Sequence, residues 1–300
     1  MVHEFHRRPG TVLNGPSPAQ PWVPSDLQLD RDRYRRSRSV RSTVVATLST
    51  LAVGIVLVLA VTSTPGWPRI QGSFFDPETA LASLPEVLRG LWLNVRVMLG
   101  CAVIVFFCGL ALAIARTTRG PVFAPLRLFA TGYTDLFRGV PLILVLLLVG
   151  YGIPGLRLQG LPTSLVFYGG LALVLQYSAF VAEVLRAGIE SVHPSQRASA
   201  RSLGLSHAQT LRHVVLPQAI RRVLPPWLND LVSLQKDSRL ISVLGAIDAI
   251  QAARILTAER GDFTPYLVAG ACFVVLTIPM ARFTDAVSRR WGYSGTGGSV

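Results

Sequence analysis

Long apolar runs without a charged residue constrain this chain more than any other feature. The first run covers residues 42–68, and its centre, residues 44–61, is almost wholly aliphatic. That is about the length an α-helix needs to cross a hydrocarbon layer of roughly 30 Å. Four more charge-free runs occupy residues 97–115, 139–156, 158–182 and 263–281. The pattern predicts an all-α, polytopic integral membrane protein.

The strong positive charge of the chain does not change this prediction. Lys and Arg number 29 against 16 Asp and Glu, a net charge of +13, which alone suggests a nucleic-acid or anionic-surface partner. Half of the residues are hydrophobic, however, and only 15% are charged, which excludes a soluble basic domain. We therefore expect membrane lipid, and no nucleic acid, as a partner. The three cysteines lie inside apolar runs, where buried hydrophobic side chains are expected rather than redox or metal groups.

Arginines in the loops predict the orientation. Residues 1–41 carry eight arginines, whereas residues 63–86 carry one arginine and three acidic residues. Since positive charge concentrates on the cytoplasmic side, the N-terminus is predicted to be cytoplasmic. Residues 1–41 are then an Arg-rich flexible tail, and residues 42–86 an extra transmembrane helix followed by an external loop.

The arginines near the C-terminus require a sixth span. Five spans would place Arg282, Arg289 and Arg290 outside the cell, so another span is predicted at about residues 223–250. This region contains five charged residues: Asp230, Lys236, Asp237, Arg239 and Asp248. Each charge costs roughly 2.5 to 3.5 kcal/mol at a helix centre, so the helix must face protein or an aqueous cavity. Residues 286–300 are then a cytoplasmic tail, and the permeation domain covers residues 87–285.

Residues 190–217 are too polar to span a membrane and too regular for a loose loop. Pro194 suits a first helical position, and Gly204 suits the left-handed residue that ends a helix. Ser206 and Gln209 form a capping box for a second helix, which is predicted to stop before Pro217. Two short helices joined by a glycine turn predict a rigid cytoplasmic elbow that another protein can bind. The alternative is an ordinary amphipathic hairpin at the membrane surface.

This elbow resembles the Glu-Ala-Ala motif of the membrane subunits of ATP-binding-cassette importers. The motif continues with Gly after three residues and with Ile-x-Leu-Pro nine residues later. Nine positions carry the resemblance or adjoin it: Ala198, Ser199, Ala200, Gly204, Leu205, Ser206, Val214, Leu216 and Pro217. Flanking elements at 137–141, 216–219 and 236–238 are similar to the FRGTP, LPQA and KDT elements of the polar amino acid permeases. The resemblance covers residues 88–290.

The resemblance implies a fold, a function and partners. The fold is a five-helix type I importer core, here with one extra N-terminal transmembrane helix. The implied partners are two ATPase subunits, a second identical or related permease subunit, and an extracytoplasmic amino-acid-binding protein, all at the inner membrane. Ala198 stands where the family usually has Glu, so docking of the ATPase is expected to persist with altered strength.

The chain itself is not expected to be an enzyme. A phosphate-binding loop needs Gly-Lys followed by Ser or Thr, and the only lysine, Lys236, lies between Gln235 and Asp237. No cofactor is therefore expected on this chain, and ATP and magnesium belong to the partner ATPase.

Polar residues inside the predicted spans are candidates for the substrate path. Asp135 and Arg138 are three apart on a predicted helix, so they form either a structural ion pair or part of the path. Gln176 and Glu183 are weaker candidates. Lys236 and Asp237, with Arg239, complete a set of both signs that suits a zwitterion.

Two other classes of protein stay open at this point. An ion-coupled secondary transporter or channel would use the intramembrane charges as a proton relay. A membrane-anchored scaffold or nucleic-acid-binding protein would use the arginine-rich tail. Within the importer class, a permease for another small polar solute is the alternative to an amino acid permease.

Overall fold

The structure is a computed structural model that describes residues 25–118 and 120–291, with all side chains there except those of residues 32, 33, 35–40, 207, 208 and 211. These residues form helices and connecting turns, with no β-strand among them. Contacts divide the chain into two units, Met1–Trp67 and Pro68–Val300. The prediction of an all-α membrane protein is confirmed.

The described part of the first unit contains one long helix, α1, Asp26–Thr62. Its C-terminal stretch, Arg41–Thr62, is long and apolar enough to cross a membrane. The boundary predicted for a flexible tail was wrong, because residues 26–41 are helical. Arginine is a good helix former, and no proline interrupts the chain between Pro24 and Pro65. The rest of the predicted tail, residues 1–24, lies outside the described residues.

The second unit contains eleven further helices in the part that the structure describes. They are α2 (Trp67–Phe74), α3 (Pro77–Thr117), α4 (Ala124–Gly139), α5 (Leu142–Leu147), α6 (Ile153–Gly155), α7 (Leu165–Glu190), α8 (Pro194–Ser202), α9 (His207–Thr210), α10 (Leu216–Asp237), α11 (Ala249–Arg260) and α12 (Thr264–Arg290). A π turn at Leu148–Gly152 joins α5 to α6, another at Leu211–Val215 joins α9 to α10, and a 3₁₀ turn at Ser238–Leu244 follows α10. Residue 286 is thus not the start of a tail, since α12 continues to Arg290; residues 292–300 lie outside the described residues.

Four helices of the described residues are long and apolar enough to span: the C-terminal part of α1, α3, α7 and α12. Two bent pairs bring the number to six, one formed by α4 with Leu142–Gly155 and the other by Arg212–Leu244 with α11. The bends are 107° and 48° respectively. The charged sixth span predicted near residues 223–250 therefore corresponds to a broken helix. Its break falls at residues 245–248, between the 3₁₀ turn and α11.

Helix α7 lies at the centre of the second unit. About 56% of its most apolar window is buried, against 28% for α3 and 11% for α12. It packs mainly on α3 and also contacts α4, α5 and α10, and α12 packs on α3, α10 and α11. The largest apolar cluster joins these helices through Val105 on α3, Leu173 and Val181 on α7, and Leu234 on α10.

The segment predicted as an external loop, residues 63–86, contains α2 and the first turns of α3. Asp76 caps α3: its carboxylate accepts the hydroxyl of Thr79 at 2.6 Å and the backbone N–H of Thr79 at 3.1 Å. Both bonds lower the pKa of the Asp76 carboxyl below its usual value, and the bond from the Thr79 hydroxyl has the larger effect. The turn is fixed to the start of α12, because Asp76 N–H donates to Thr264 Oγ1 at 3.2 Å and Phe74 stacks on Phe263.

Helices α3 and α11 approach each other closely through a polar contact. Asn94 Nδ2 donates to Asp248 Oδ2 at 3.2 Å, and Asn94 Oδ1 accepts the N–H of Ala249 at 3.3 Å. The same carboxylate caps α11 by accepting the N–H of Ile250 and of Gln251. One turn before Asn94, a Cβ at Gly90 would overlap the backbone of Asp248 and Ala249. Gly90 is therefore required for this crossing.

We expect Gly90→Ala to destabilise the fold by about 1 to 3 kcal/mol, because backbone atoms of α11 cannot move aside as a flexible side chain can. Gly100→Ala is the matched control on the same helix, since a Cβ there meets no atom within 4 Å. It should leave stability unchanged or raise it by up to about 1 kcal/mol through helix propensity. Denaturant unfolding of both variants in detergent measures the difference, and equal midpoints would refute the packing argument.

Candidate functional site

The segment 190–217 forms the predicted elbow. Helix α8 begins at Pro194, where His193 Nδ1 accepts the backbone N–H of Ser195 at 3.2 Å. It ends at Ser202, and Gly204 has φ of +83°, so the predicted left-handed glycine is confirmed. The predicted capping box is confirmed as well: Ser206 N–H donates to Gln209 Oε1 at 2.9 Å, and Gln209 N–H donates to Ser206 Oγ at 3.2 Å.

The predicted end of the second helix before Pro217 was wrong. After α9 the backbone makes the π turn Leu211–Val215 and continues directly into α10, with Pro217 in its first turn. A proline is tolerated there because the first N–H groups of a helix need no intrahelical acceptor. In the π turn, directly before α10, each N–H bonds to the carbonyl five residues earlier instead of four. The second arm of the elbow is thus continuous with the broken span that contains Lys236 and Asp237.

The elbow is fixed to α7 and α10 by an apolar cluster and by arginines. Val192, Val215 and Ala219 are buried together, with Ile189 packed against them. Arg197 Nη2 donates to the carbonyl O of Ile189 at 2.7 Å, and Arg222 Nη1 donates to the carbonyl O of Ser191. Both bonds use carbonyl groups at the C-terminal end of α7, which lack intrahelical donors. One side of the elbow is therefore held rigidly against the helices.

The other side of the elbow is exposed. Of the nine motif positions, Ala200 is buried and Leu205 and Val214 are half-buried, while the remaining six are exposed: Ala198, Ser199, Gly204, Ser206, Leu216 and Pro217. Leu203, beside Gly204, exposes 83% of its surface although it is apolar. A rigid, exposed turn with an apolar tip is suited to binding in a cleft of another protein.

Glu183 on α7 is the centre of an ion network that joins three helices. Arg116 at the end of α3 donates to its Oε2 at 2.7 Å, and Arg138 of α4 lies 3.6 Å from the same oxygen. Arg186 Nε donates to that oxygen at 3.2 Å, and its Nη1 pairs with Glu190. The Arg116 side chain is only 12% exposed, so removal of Glu183 would leave a nearly buried cation without this partner.

Of the two interpretations of Asp135 and Arg138, an ion pair between them or a part of the substrate path, the ion pair was wrong. Arg138 reaches Glu183 instead, and among the described residues no ion pair includes Asp135, which lies exposed on α4. The two residues are three apart, as the prediction required, but the packing of α4 on α7 offers Arg138 a carboxylate already held by two other arginines. The sequence analysis did not identify Arg116, because an arginine at the end of a span is usually interpreted as one of the positive charges that set the orientation in the membrane.

At the break between α4 and α5, a buried side chain supplies a hydrogen-bond donor to a backbone carbonyl group. Gln176 Nε2 donates to the carbonyl O of Val140 at 3.0 Å, next to Pro141, which can donate no N–H of its own. Tyr133 OH donates to the carbonyl O of Leu175 at 2.7 Å on the same side of α7. Gln176 therefore supports the irregular backbone, while its own Oε1 is buried with no hydrogen-bond partner among the described residues.

The charged part of the broken span joins α7 through a tyrosine. Tyr177 OH donates to Asp237 Oδ2 at 2.7 Å, while Lys236 is exposed. Gln235 is buried, and its Oε1 accepts the hydroxyl of Thr277 on α12 at 2.8 Å. Sequence reasoning missed Tyr177 and Gln235, since a single Tyr or Gln in an apolar run gives no pattern. Of the predicted path residues, Gln176 is part of α7 and Asp237 is hydrogen-bonded to it, whereas Asp135 lies exposed on α4.

Comparison with known proteins identifies the family of this arrangement. The sequence profile of the binding-protein-dependent transport system inner membrane component family matches residues 107–293. The chain is 36% identical over 188 residues to the probable glutamine ABC transporter permease protein GlnM of Bacillus subtilis (strain 168), which covers 62% of this chain and 83% of that protein. It is 29% identical to the arginine transport system permease protein ArtQ of the same organism, over 72% of this chain and 96% of that protein.

A solved structure agrees with these relatives. The chain resembles a protein described as an amino acid ABC transporter with histidines, at a TM-score of 0.66 and 31% identity. The match covers 72% of this chain and 98% of that one. The fold and the sequence agree, and the chain belongs to the family of binding-protein-dependent transport system inner membrane components, the multi-pass permease subunits of ABC transporters.

Proposed function

We propose that this chain is the permease subunit of an ATP-driven amino acid importer and that the elbow at 190–217 couples it to a separate ATPase. One observation carries the proposal: the elbow is anchored on α7 and α10 on one side and exposes Ala198, Ser199 and Leu203 on the other. A partner bound to this face would transmit its own movement directly to two spanning helices. The chain supplies the path and binds neither ATP nor magnesium itself.

The proposed assembly places the elbow and both termini in the cytoplasm. Two permease subunits, identical or related, enclose the path, and two ATPase subunits close beneath them. A solute-binding protein delivers the solute on the outer side. ATP binding then shifts the permease between outward- and inward-facing states, which requires the ATPase to bind one state more tightly than the other.

Amino acids are the proposed solutes for two reasons. Both relatives named above, and the solved structure, are described as transporters of amino acids. In addition, Lys236 and Asp237 at the end of α10 and Asp135 on α4 offer groups of both signs, which suits a ligand with an ammonium and a carboxylate group. Another small polar solute is the alternative within this class, and ion-coupled transport is the alternative from another class.

Reconstitution tests the proposal. The full chain is placed in liposomes with its cognate ATPase, with ATP inside and a loaded binding protein outside, and uptake of labelled amino acids is followed. We expect uptake to require all three proteins and to continue when an ionophore collapses the proton gradient. Uptake that follows the proton gradient and needs no ATPase would overturn the proposal in favour of an ion-coupled transporter.

We expect Asp135→Ala to reduce uptake by about ten-fold, the factor that corresponds to one lost charge-assisted contact of about 1.4 kcal/mol. Assembly should be unaffected, because Asp135 is exposed and its carboxylate forms no ion pair with another helix among the described residues. Asp285→Ala, an equally exposed acid on α12, is the matched control and should transport normally. Uptake rates and the yield of detergent-extracted complex are compared, and parallel loss of both would assign Asp135 a packing role.

We expect Ala198→Glu to tighten binding of the ATPase by about two- to five-fold, as one exposed ion pair of up to about 1 kcal/mol would do. Ala198 is exposed on α8, so the longer side chain meets no steric obstacle within the chain. Gln196→Glu adds the same charge to the same helix at a position outside the motif and should have no such effect.

Binding of the purified ATPase to immobilised permease measures both Ala198→Glu and Gln196→Glu. Equal effects would show that only general charge matters and that position 198 is immaterial. Failure of the unmodified chain to bind its cognate ATPase would overturn the coupling role itself.

A further inference from the structure

A cavity of about 610 Å³ lies where the end of α7, the first turns of α10 and the residue after α12 meet. Six of the residues that line it carry the argument: Val184, Ala187, Arg221, Arg222, Pro226 and Trp291. None of the substrate-path candidates lines it. One of its lining residues, Ser191, belongs to the elbow and another, Gln218, adjoins it, so the cavity lies on the same side of the protein as the elbow.

The cavity is cationic. Arg221 and Arg222 line it, and none of the described residues that line it is acidic. The two nearest acids along α7, Glu183 and Glu190, are both paired with Arg186. Arg222 donates one N–H to the carbonyl O of Ser191, and the other N–H groups of its guanidinium remain to bind a ligand. Arg221 is exposed, so its guanidinium is also accessible to a ligand. Planar guanidinium groups bind phosphate oxygens particularly well, so the ligand expected here carries a phosphate.

Part of the lining is apolar. Val184, Ala187 and Pro226 provide aliphatic surface, and Trp291 adds an indole at the end of a spanning helix. Tryptophan is enriched at this level of membrane proteins, where its ring lies among lipid headgroups. A free phosphate gains nothing from such a wall, whereas the glycerol and first acyl carbons of a phospholipid would be covered by it.

The cavity is formed by helix packing rather than by loops. At Gly188, which also lines it, a Cβ would overlap Cγ2 of Val223, so α7 and α10 are in direct backbone-to-side-chain contact at its edge. The bond from Arg222 to Ser191 holds the same two helices together. The site is therefore preformed, and a ligand would not have to order it on binding.

We propose that this cavity binds the phosphate headgroup of an anionic phospholipid, with Arg221 and Arg222 on the phosphate and Trp291 and the aliphatic wall on the glycerol region. The proposal does not depend on which solute the permease carries. Bound lipid would connect α7, α10 and the end of α12 directly beside the coupling elbow, a position from which it affects the stability of the assembled helices.

The full chain is purified in detergent, and stepwise binding of phosphatidylglycerol and of phosphatidylcholine is measured by native mass spectrometry. We expect the first phosphatidylglycerol to bind more tightly than phosphatidylcholine. Arg221→Ala should weaken that first site by about five-fold, the factor for about 1 kcal/mol per basic residue at an anionic headgroup. Arg254→Ala, which removes one exposed arginine of α11 outside the cavity, should leave it unchanged.

A second variant keeps every charge. Ala187→Phe places a ring in the cavity and should also weaken the first phosphatidylglycerol site, which separates occupancy of the cavity from general surface charge. Equal affinities for the two lipids, or an equal effect of Arg254→Ala, would overturn the proposal. Displacement of the lipid by millimolar inorganic phosphate would assign the site to free phosphate. If Arg221→Ala weakened ATPase binding and left lipid binding unchanged, the cavity would be part of the ATPase interface instead.

Discussion

The close packing of α7 on α3 is the constraint on which the rest of the second unit depends. Lipid is as apolar as the helices, so two spans associate through tight contact and polar pairs rather than through the hydrophobic effect. Gly109 permits the contact, since a Cβ there would lie 2.8 Å from Cγ1 of Val181. Arg116 and Glu183 close its end with an ion pair whose partners both lie mostly out of solvent. The other spans then pack on this pair, and α4, α10 and α12 owe their positions to it.

Irregular backbone is tolerated inside this unit because protein groups satisfy it. In a membrane, an unpaired carbonyl at a helix break is costly, so breaks occur where other side chains reach them. Gln176 donates to Val140 at the break between α4 and α5, and Asn94 Oδ1 accepts the backbone N–H of Ala249 at the break before α11. Both breaks lie against α7, and both place polar groups within the unit. The broken helices thus allow charged and polar residues to lie within a membrane-spanning unit, because protein groups rather than lipid surround them.

Features set by local chemistry could be predicted from the sequence, and features set by packing could not. The apolar runs predicted the spans because crossing lipid depends on composition over about 20 residues. Gly204 and the Ser206–Gln209 capping box followed from their own residue types. The partner of Arg138 did not, because Glu183 lies 45 positions away and reaches it only through the packing of α4 on α7. The continuation through Pro217 depended on a π turn that no residue type announces.

The elbow and the ion network are mechanically connected, which gives the proposed coupling a physical route. The elbow is bonded to carbonyl groups at the C-terminal end of α7, about two turns from Glu183 along the chain. A displacement of the elbow therefore moves the carboxylate that Arg116 and Arg138 share. In the proposed coupling, the same displacement would pull on the end of α4, because Arg138 lies just before the break between α4 and α5. Arg138 is the least tightly held of the three arginines, at 3.6 Å against 2.7 Å for Arg116. Within the proposed coupling, the ion pair between Arg138 and Glu183 is consequently the contact of this network that we expect to lengthen first, while Arg116 keeps α3 and α7 together.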